Sequence, residues 1–259
     1  MGIWRRAIRS TTALLLLLAT GACNSGGGPT EPNPPPGEPE LTATLESPNF
    51  SFHFTPGDAV DSDRQEAFHS WAVGQLGISP SRIDYYKYLD RTQMARFTGV
   101  SANGFADPAT FSVHSVFPWH GHETVHLYTA LIGRPSDFFN EGIAVAMSVD
   151  PLAGRFEPTY SGALSVHDWA RSEGDRLPAI ATLVTTAEFR QVAEGVGYQT
   201  AGSFVAFLLS EYGSDRLGAF FAAGRRDDSR GRIETSFEDA FGVSLEQAEE
   251  AWHRFLGIG

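Results

Sequence analysis

Residues 122–126 read His-Glu-Thr-Val-His and carry the strongest chemical signal in the sequence. Residues four apart share one face of a helix, so a helix here would let the two imidazoles bind the same metal ion. Glu123 would lie about 100° around the helix, near enough to act on a water molecule without binding the metal. The spacing therefore predicts a metal site formed by His122 and His126, with Glu123 within reach of a metal-bound water molecule.

A metal site that also activates water usually has three protein ligands and one open position. A third histidine on the same helix is missing, because Thr129 and Ile132 stand where the pattern HExxHxxGxxH needs glycine and histidine. Glu141 follows His126 by fifteen residues, and residues 133–135 (Gly-Arg-Pro) break the first helix between them. Two helices joined by so short a turn pack side by side, which would bring Glu141 back to the histidine pair.

The sequence allows other roles for the residues around this motif. Asp137 is an alternative acidic ligand, although its position favours a role in capping the second helix. His120 lies two residues before His122 and on a helix would point to the other side, so it is expected in the substrate cleft or on the surface, with a role as a metal ligand as the alternative. A simpler interpretation of the motif is two surface histidines on an ordinary helix.

The pattern HETVH at 122–126 followed by NEGIA at 140–144 resembles the gluzincins, the zinc peptidases whose third ligand is a glutamate, and in particular their small peptidase MA-like domains. The resemblance covers about residues 104–257 and is strongest at 119–147. Two features differ from well-known branches of the family. Val145 stands where thermolysin-like enzymes have an aspartate that orients a histidine ligand, and the aminopeptidase signature GxMEN is missing.

This resemblance implies a zincin-like α+β fold and a Zn²⁺ ion held by His122, His126 and Glu141. It also implies that Glu123 is the general base of peptide hydrolysis. Because gluzincins often use a downstream tyrosine or histidine to stabilise the oxyanion, it suggests Tyr198 as a second catalytic residue. The tyrosine could equally belong to the hydrophobic core.

Strands are expected before the motif and helices after it. Phe50, Phe52 and Phe54 alternate with polar residues, which indicates a strand. The sequence further predicts a helix at 61–76, a strand at 82–89, a turn at 104–108 and a β-rich run at 110–117. Predicted helices then occupy about 119–132, 137–148, 161–173, 177–194, 198–212, 214–224 and 245–256. This order indicates an α+β domain with a short N-terminal sheet and a mainly helical C-terminal part, spanning 41–259.

The N-terminus predicts export and lipid attachment. Three arginines precede the apolar run at 11–20, which is too short to span a bilayer as a helix and fits a signal peptide over 1–22. The next residue is Cys23, the single cysteine of the chain, in a context that looks like a bacterial lipobox. Residues 23–40 are rich in proline and glycine and predict a lipidated cysteine followed by a tether.

Composition narrows the function further. The 259 residues carry a formal net charge of −12, which argues against nucleic-acid binding because phosphates are neutralised by clustered Lys and Arg. We expect a monomeric, membrane-anchored lipoprotein outside the cytoplasm, at the outer membrane or cell surface of a bacterium, acting on a peptide or protein substrate. Two alternatives are a non-catalytic lipoprotein that keeps the fold as a binding module, and a zinc hydrolase of a non-peptide or cell-wall amide.

Overall fold

The computed structural model describes residues 40–150, 155, 156 and 165–258. The predicted signal peptide, Cys23 and nearly all of the predicted tether lie outside the described residues. Within the part of the chain that is described, no helix has the length and apolar character needed to cross a membrane.

A mixed five-stranded sheet forms the N-terminal part, in the order β1-β2-β3-β5-β4, and a separate two-stranded sheet follows it. The strands are β1 (Ala43–Glu46), β2 (Phe50–Phe54), β3 (Ile83–Lys87), β4 (Gly104–Asp107), β5 (Ser112–Ser115), β6 (Val149–Asp150) and β7 (Arg155–Phe156). β2, β3 and β5 run parallel, whereas the edge strands β1 and β4 pair antiparallel with their neighbours. The alternation in β2 buries Phe50 and Phe52 completely, as the sequence predicts.

Helices dominate the rest of the described chain, so the α+β prediction is confirmed. They are α1 (Ser62–Leu76), α2 (Arg91–Thr98), α3 (Gly121–Ala130), α4 (Asp137–Ala146), α5 (Val166–Glu173), α6 (Thr186–Phe189), α7 (Glu194–Tyr212), α8 (Ser214–Ala223), α9 (Arg230–Phe241) and α10 (Leu245–Leu256). One core joins the sheet to these helices, and its largest fully buried side chain is Trp252 of α10.

Several segments differ from the sequence expectations. The expected turn at 104–108 is mostly strand β4, paired with β5. The expected helix at 177–194 is replaced by a 3₁₀ turn at Ile180–Thr182 and the short α6. Pro178 cannot donate a helical hydrogen bond there, and the capping box between Thr185 and Glu188 starts a new helix.

Two further helices, α2 and α9, lie in polar segments and were not predicted from the sequence. Both helices end at a glycine in the left-handed conformation, Gly99 with φ 77° and Gly242 with φ 75°. Asp90 caps α2 by accepting a hydrogen bond from the backbone N–H of Gln93. These caps were visible in the sequence and outweigh the weak apolar periodicity.

Candidate metal centre

α3 carries the histidine pair, and α1 and the preceding loop fix its start. His120 is the residue before the helix, and its backbone N–H donates to Gln65 Oε1 at 2.9 Å. The Gln65 amide donates to Thr124 Oγ1 at 2.9 Å. One turn further on, the Tyr128 hydroxyl and His69 Nδ1 are 2.6 Å apart. These buried contacts hold the register of α3 against α1, so the histidine face has a fixed direction.

The two histidines and Glu141 meet at one point, as the sequence predicts. His122 Nε2 and His126 Nε2 lie 3.2 Å apart. Glu141 Oε2 lies 3.2 Å from His126 Nε2 and 3.3 Å from His122 Nε2. One proton can bridge only two of these three atoms at a time, so it leaves the third atom without a hydrogen bond inside the group. The group can hold a metal ion, and its ligand atoms are all within 4.8 Å of one another.

Charge in this group is strongly coupled. Burial alone would lower the pKa of His126, but its hydrogen bond to Glu141 and the charges of Glu141 and Glu123 more than offset burial and raise that pKa. Burial alone would raise the pKa of Glu141, but hydrogen bonds from both histidines hold it far below its usual range. The centre therefore presents a carboxylate that stays ionised and is ready to bind a cation.

Close packing between α4 and α7 brings Glu141 into place. A Cβ atom on Gly142 would lie 2.7 Å from Val205 Cγ2 and 2.8 Å from the carbonyl oxygen of Ala201. Gly202 of α7 makes the reciprocal contact, because its Cβ would lie 2.4 Å from Val145 Cγ1. Gly142 is thus required by helix packing beside the metal ligand, and the two small residues let the helices approach closely.

Asn140 supplies the partner that Val145 cannot supply. Its side-chain amide lies 3.2 Å from His126 Nδ1 and 3.3 Å from Thr129 Oγ1. The oxygen and nitrogen of an amide are assigned from their neighbours, and a metal on His126 Nε2 leaves Nδ1 protonated. The structure has Asn140 Nδ2 nearest to His126 Nδ1; with the amide turned over, Asn140 Oδ1 accepts from Nδ1–H and fixes the orientation of that ring.

Glu123 lies beside the metal ligands in a cavity of 1190 Å³. No described residue forms a hydrogen bond or an ion pair with its carboxylate. Gly104 of the edge strand β4 approaches it closely, since a Cβ there would lie 2.9 Å from Glu123 Cγ and 2.5 Å from the ring of His120. The carboxylate is therefore available to a molecule that enters the cavity.

Tyr198 lines the same cavity. Its ring is nearly parallel to that of His122, with centroids 6.4 Å apart. The Tyr198 hydroxyl accepts a hydrogen bond from Arg190 Nη1 at 3.2 Å. Burial and the nearby charge of Glu141 raise the pKa of Tyr198, so the phenol keeps its proton and can donate it in a hydrogen bond.

Sequence reasoning missed Arg190, which connects several of these groups. Besides Tyr198, it donates to Glu141 Oε1 at 3.2 Å and to Asp137 Oδ2 at 2.7 Å. Asp137 does not cap α4, because Ser136 occupies the cap position. It is also outside the group of candidate metal ligands, and its carboxylate binds arginines instead. The carboxylate of Asp137 is buried and holds Arg190 and Arg226. No local sequence pattern reveals that Arg226 has a partner 89 residues away.

His120 lines the cavity and is not among the metal ligands, which agrees with the expectation of a cleft histidine. It lies before α3 instead of on that helix, and its Nδ1 is 2.9 Å from Ser115 Oγ. Burial and the neighbouring His122 and His126 lower the pKa of His120 to about 3. Its imidazole is therefore a neutral part of the cavity wall.

Comparison with known proteins assigns no family to the chain. No family model matches the sequence, and no curated protein matches it.

Proposed function

We propose that the protein is a zinc-dependent metallopeptidase of the gluzincin type. The observation that carries this proposal is the convergence of His122, His126 and Glu141 in an open cavity, beside a Glu123 carboxylate that no described residue binds. Three ligands plus a separate acid–base group are what metal-assisted hydrolysis requires.

Zinc is the ion that this group fits best. Tetrahedral zinc about 2.0–2.1 Å from each ligand needs ligand atoms about 3.3–3.4 Å apart. The three distances of 3.2, 3.2 and 3.3 Å agree with that geometry. Two neutral imidazoles and one carboxylate form a ligand set typical of catalytic zinc. A bound zinc ion would polarise a substrate carbonyl group and lower the pKa of a coordinated water molecule.

The surrounding residues have the chemistry that peptide hydrolysis needs. Glu123 would take a proton from the attacking water and deliver it to the leaving amine. Tyr198 would donate a hydrogen bond to the oxygen on which negative charge develops. β4 is an edge strand that lines the cavity with Gly104–Ala106, so an extended peptide backbone could pair with it. This last feature favours a peptide over a compact non-peptide substrate.

The decisive experiment combines metal stoichiometry with cleavage of a peptide library. The zinc-loaded wild type should bind one zinc ion per chain and cleave peptides. Glu123→Gln should bind the same amount of zinc and lose activity by about 10²–10⁴-fold, because it lacks the proton acceptor. Glu194→Gln, which removes another carboxylate from the same cavity, serves as the matched control and should stay active. Full activity of Glu123→Gln would exclude the proposed mechanism.

The proposed location is the outer membrane or cell surface, with the domain held by lipid on Cys23 and acting as a monomer. The sequence features that support it are the arginine-rich start, the apolar run and the single cysteine. Cys23→Ser should abolish incorporation of labelled palmitate and release the protein from the membrane fraction. Membrane retention of an unlabelled Cys23→Ser protein would contradict lipid anchoring.

A further inference from the structure

One side of the cavity is basic, although the chain as a whole has a net charge of −12. We call Arg134, Arg190 and Arg226 the arginine cluster, and all three line the same cavity as the metal ligands. They come from three distant segments: the loop after α3, the residue after α6 and the loop between α8 and α9. Arg134 and Arg226 also border an adjoining depression of 370 Å³.

Asp137 neutralises only part of this cluster. Arg226 donates to it through Nε at 2.7 Å and through Nη2 at 2.8 Å, and Arg190 donates through Nε at 2.7 Å. The side chain of Asp137 is 5% exposed, so the pairing orients both arginines from beneath. The remaining donors of Arg190 contact Glu141 and Tyr198, which ties it to the metal centre.

Two guanidinium groups keep donors for an incoming ligand. Arg226 is 55% exposed, and its Nη1 has no partner among the described residues. Arg134 forms no ion pair with any acidic side chain that the structure describes. Because a guanidinium binds a carboxylate through two parallel hydrogen bonds, these positions suit a carboxylate ligand.

We propose that Arg134 and Arg226 form a subsite that binds a carboxylate of the substrate next to the metal centre. This inference rests on the proposed peptidase function and specifies its substrate class. The contacts from Glu141 through Arg190 and Asp137 to Arg226 form a continuous series, and Arg134 and Arg226 line the cavity that contains the metal ligands, so one substrate can reach both. The net negative charge of the chain repels acidic peptides at long range, and selection therefore depends on these short contacts.

The bound carboxylate can come from an Asp or Glu side chain or from the C-terminus of a short peptide. Four forms of one peptide separate these sources. They combine Glu or Gln at the tested position with a free or an amidated C-terminus. A preference for Glu in amidated peptides identifies a side-chain site. A preference for the free C-terminus in Gln peptides identifies a terminal-carboxylate site.

The test measures kcat/KM of the zinc-loaded protein for these peptides. We expect the wild type to prefer one carboxylate form by about tenfold or more over its neutral counterpart. Arg134→Gln should lower that ratio towards one, and Arg134→Glu should favour a Lys-containing peptide. Arg91→Gln is the matched control, because Arg91 lines the same cavity but bonds to Asn103 beside β4. It should keep the preference of the wild type.

Two results would overturn the subsite: a wild type without preference, and an Arg91→Gln variant that loses the preference as fully as Arg134→Gln. Calorimetric binding of the same peptides to zinc-loaded Glu123→Gln separates the subsite from the peptidase proposal. Carboxylate-dependent binding without any cleavage by the wild type supports the subsite and contradicts the peptidase. Cleavage without carboxylate preference supports the peptidase and contradicts the subsite.

Discussion

The metal centre has two walls that are built in different ways. The histidine wall is α3, where His122, Glu123 and His126 lie within five consecutive residues. The glutamate wall consists of Asp137, Glu141 and Gly142 on α4, Tyr198 on α7, and the two arginines Arg190 and Arg226. One helix with correct spacing forms the first wall, whereas the second depends on how separate segments pack. The contrast indicates that metal binding and substrate choice are adjusted mainly through the glutamate wall.

The largest expected effect comes from removing the ligand that the glutamate wall supplies. Glu141→Ala should abolish stoichiometric metal binding while the fold remains, because two histidines on one helix leave the ion without its third ligand. Glu194→Ala removes a carboxylate from the same cavity and should bind metal like the wild type. Metal analysis after dialysis checks both variants. Retention of one tightly bound ion by Glu141→Ala would show that the histidine wall is sufficient.

Tyr198→Phe should give the next largest effect, on rate alone. It keeps the ring beside His122 but removes the hydroxyl, so kcat should fall by about 10²–10³-fold with unchanged zinc content. Tyr212→Phe is the control, because Tyr212 packs against Phe207 and Phe241 away from the cavity. Steady-state kinetics with equal metal loading measures the difference. An unchanged kcat for Tyr198→Phe would assign this tyrosine to packing.

The contact between α4 and α7 can be tested with two glycines. Gly142→Ala places a methyl group against Ala201 and Val205 and should destabilise the fold by about 1–3 kcal/mol and weaken metal binding. Gly195→Ala in α7 meets no atom within 4 Å and should stabilise the helix by up to about 1 kcal/mol. Denaturant unfolding and metal titration of both variants give the comparison. Equal stability would mean that the close approach is not needed.

The smallest effect is the dependence of metal affinity on pH. Glu141 and Glu123 raise the pKa of His126, and a metal ion needs the unprotonated imidazole. Metal affinity should therefore rise with pH up to this pKa, by at most about tenfold per pH unit. The stability of the metal-free protein should change with pH in the opposite direction. The contact of protonated His126 with Glu141 stabilises the fold fully below the pKa of an unfolded histidine, and this stabilisation is lost as pH rises through the pKa of His126 in the folded protein. Thermal unfolding with and without zinc across pH checks both trends.

The histidine wall could be predicted from the sequence because its information is local. The spacing of His122 and His126 places them on one helical face in any context. Glu141 was also predictable, since residues 133–135 end the first helix and a short turn leaves the second helix few directions. Here the chain brings its ligands together through connections of a few residues.

The rest of the glutamate wall depends on long-range contacts that leave no local pattern. Arg190 follows a short helix in a segment expected to be one long helix, so its place in the cavity could not be derived. Asp137 and Arg226 are 89 residues apart and are recognisable as a pair only after folding. Gly142 packs against Ala201 and Val205 of α7, a partner that only the folded structure identifies.

The strand order of the sheet has a practical consequence for handling the protein. β1, where the chain enters the fold, and β4, which lines the cavity, are opposite edges of the five-stranded sheet. Four strand spacings of about 4.8 Å place them about 19 Å apart. A resin, sensor chip or affinity tag attached ahead of residue 40 would be joined to the edge far from the cavity. Immobilised protein prepared in this way should leave the entrance beside β4 open to peptides in solution.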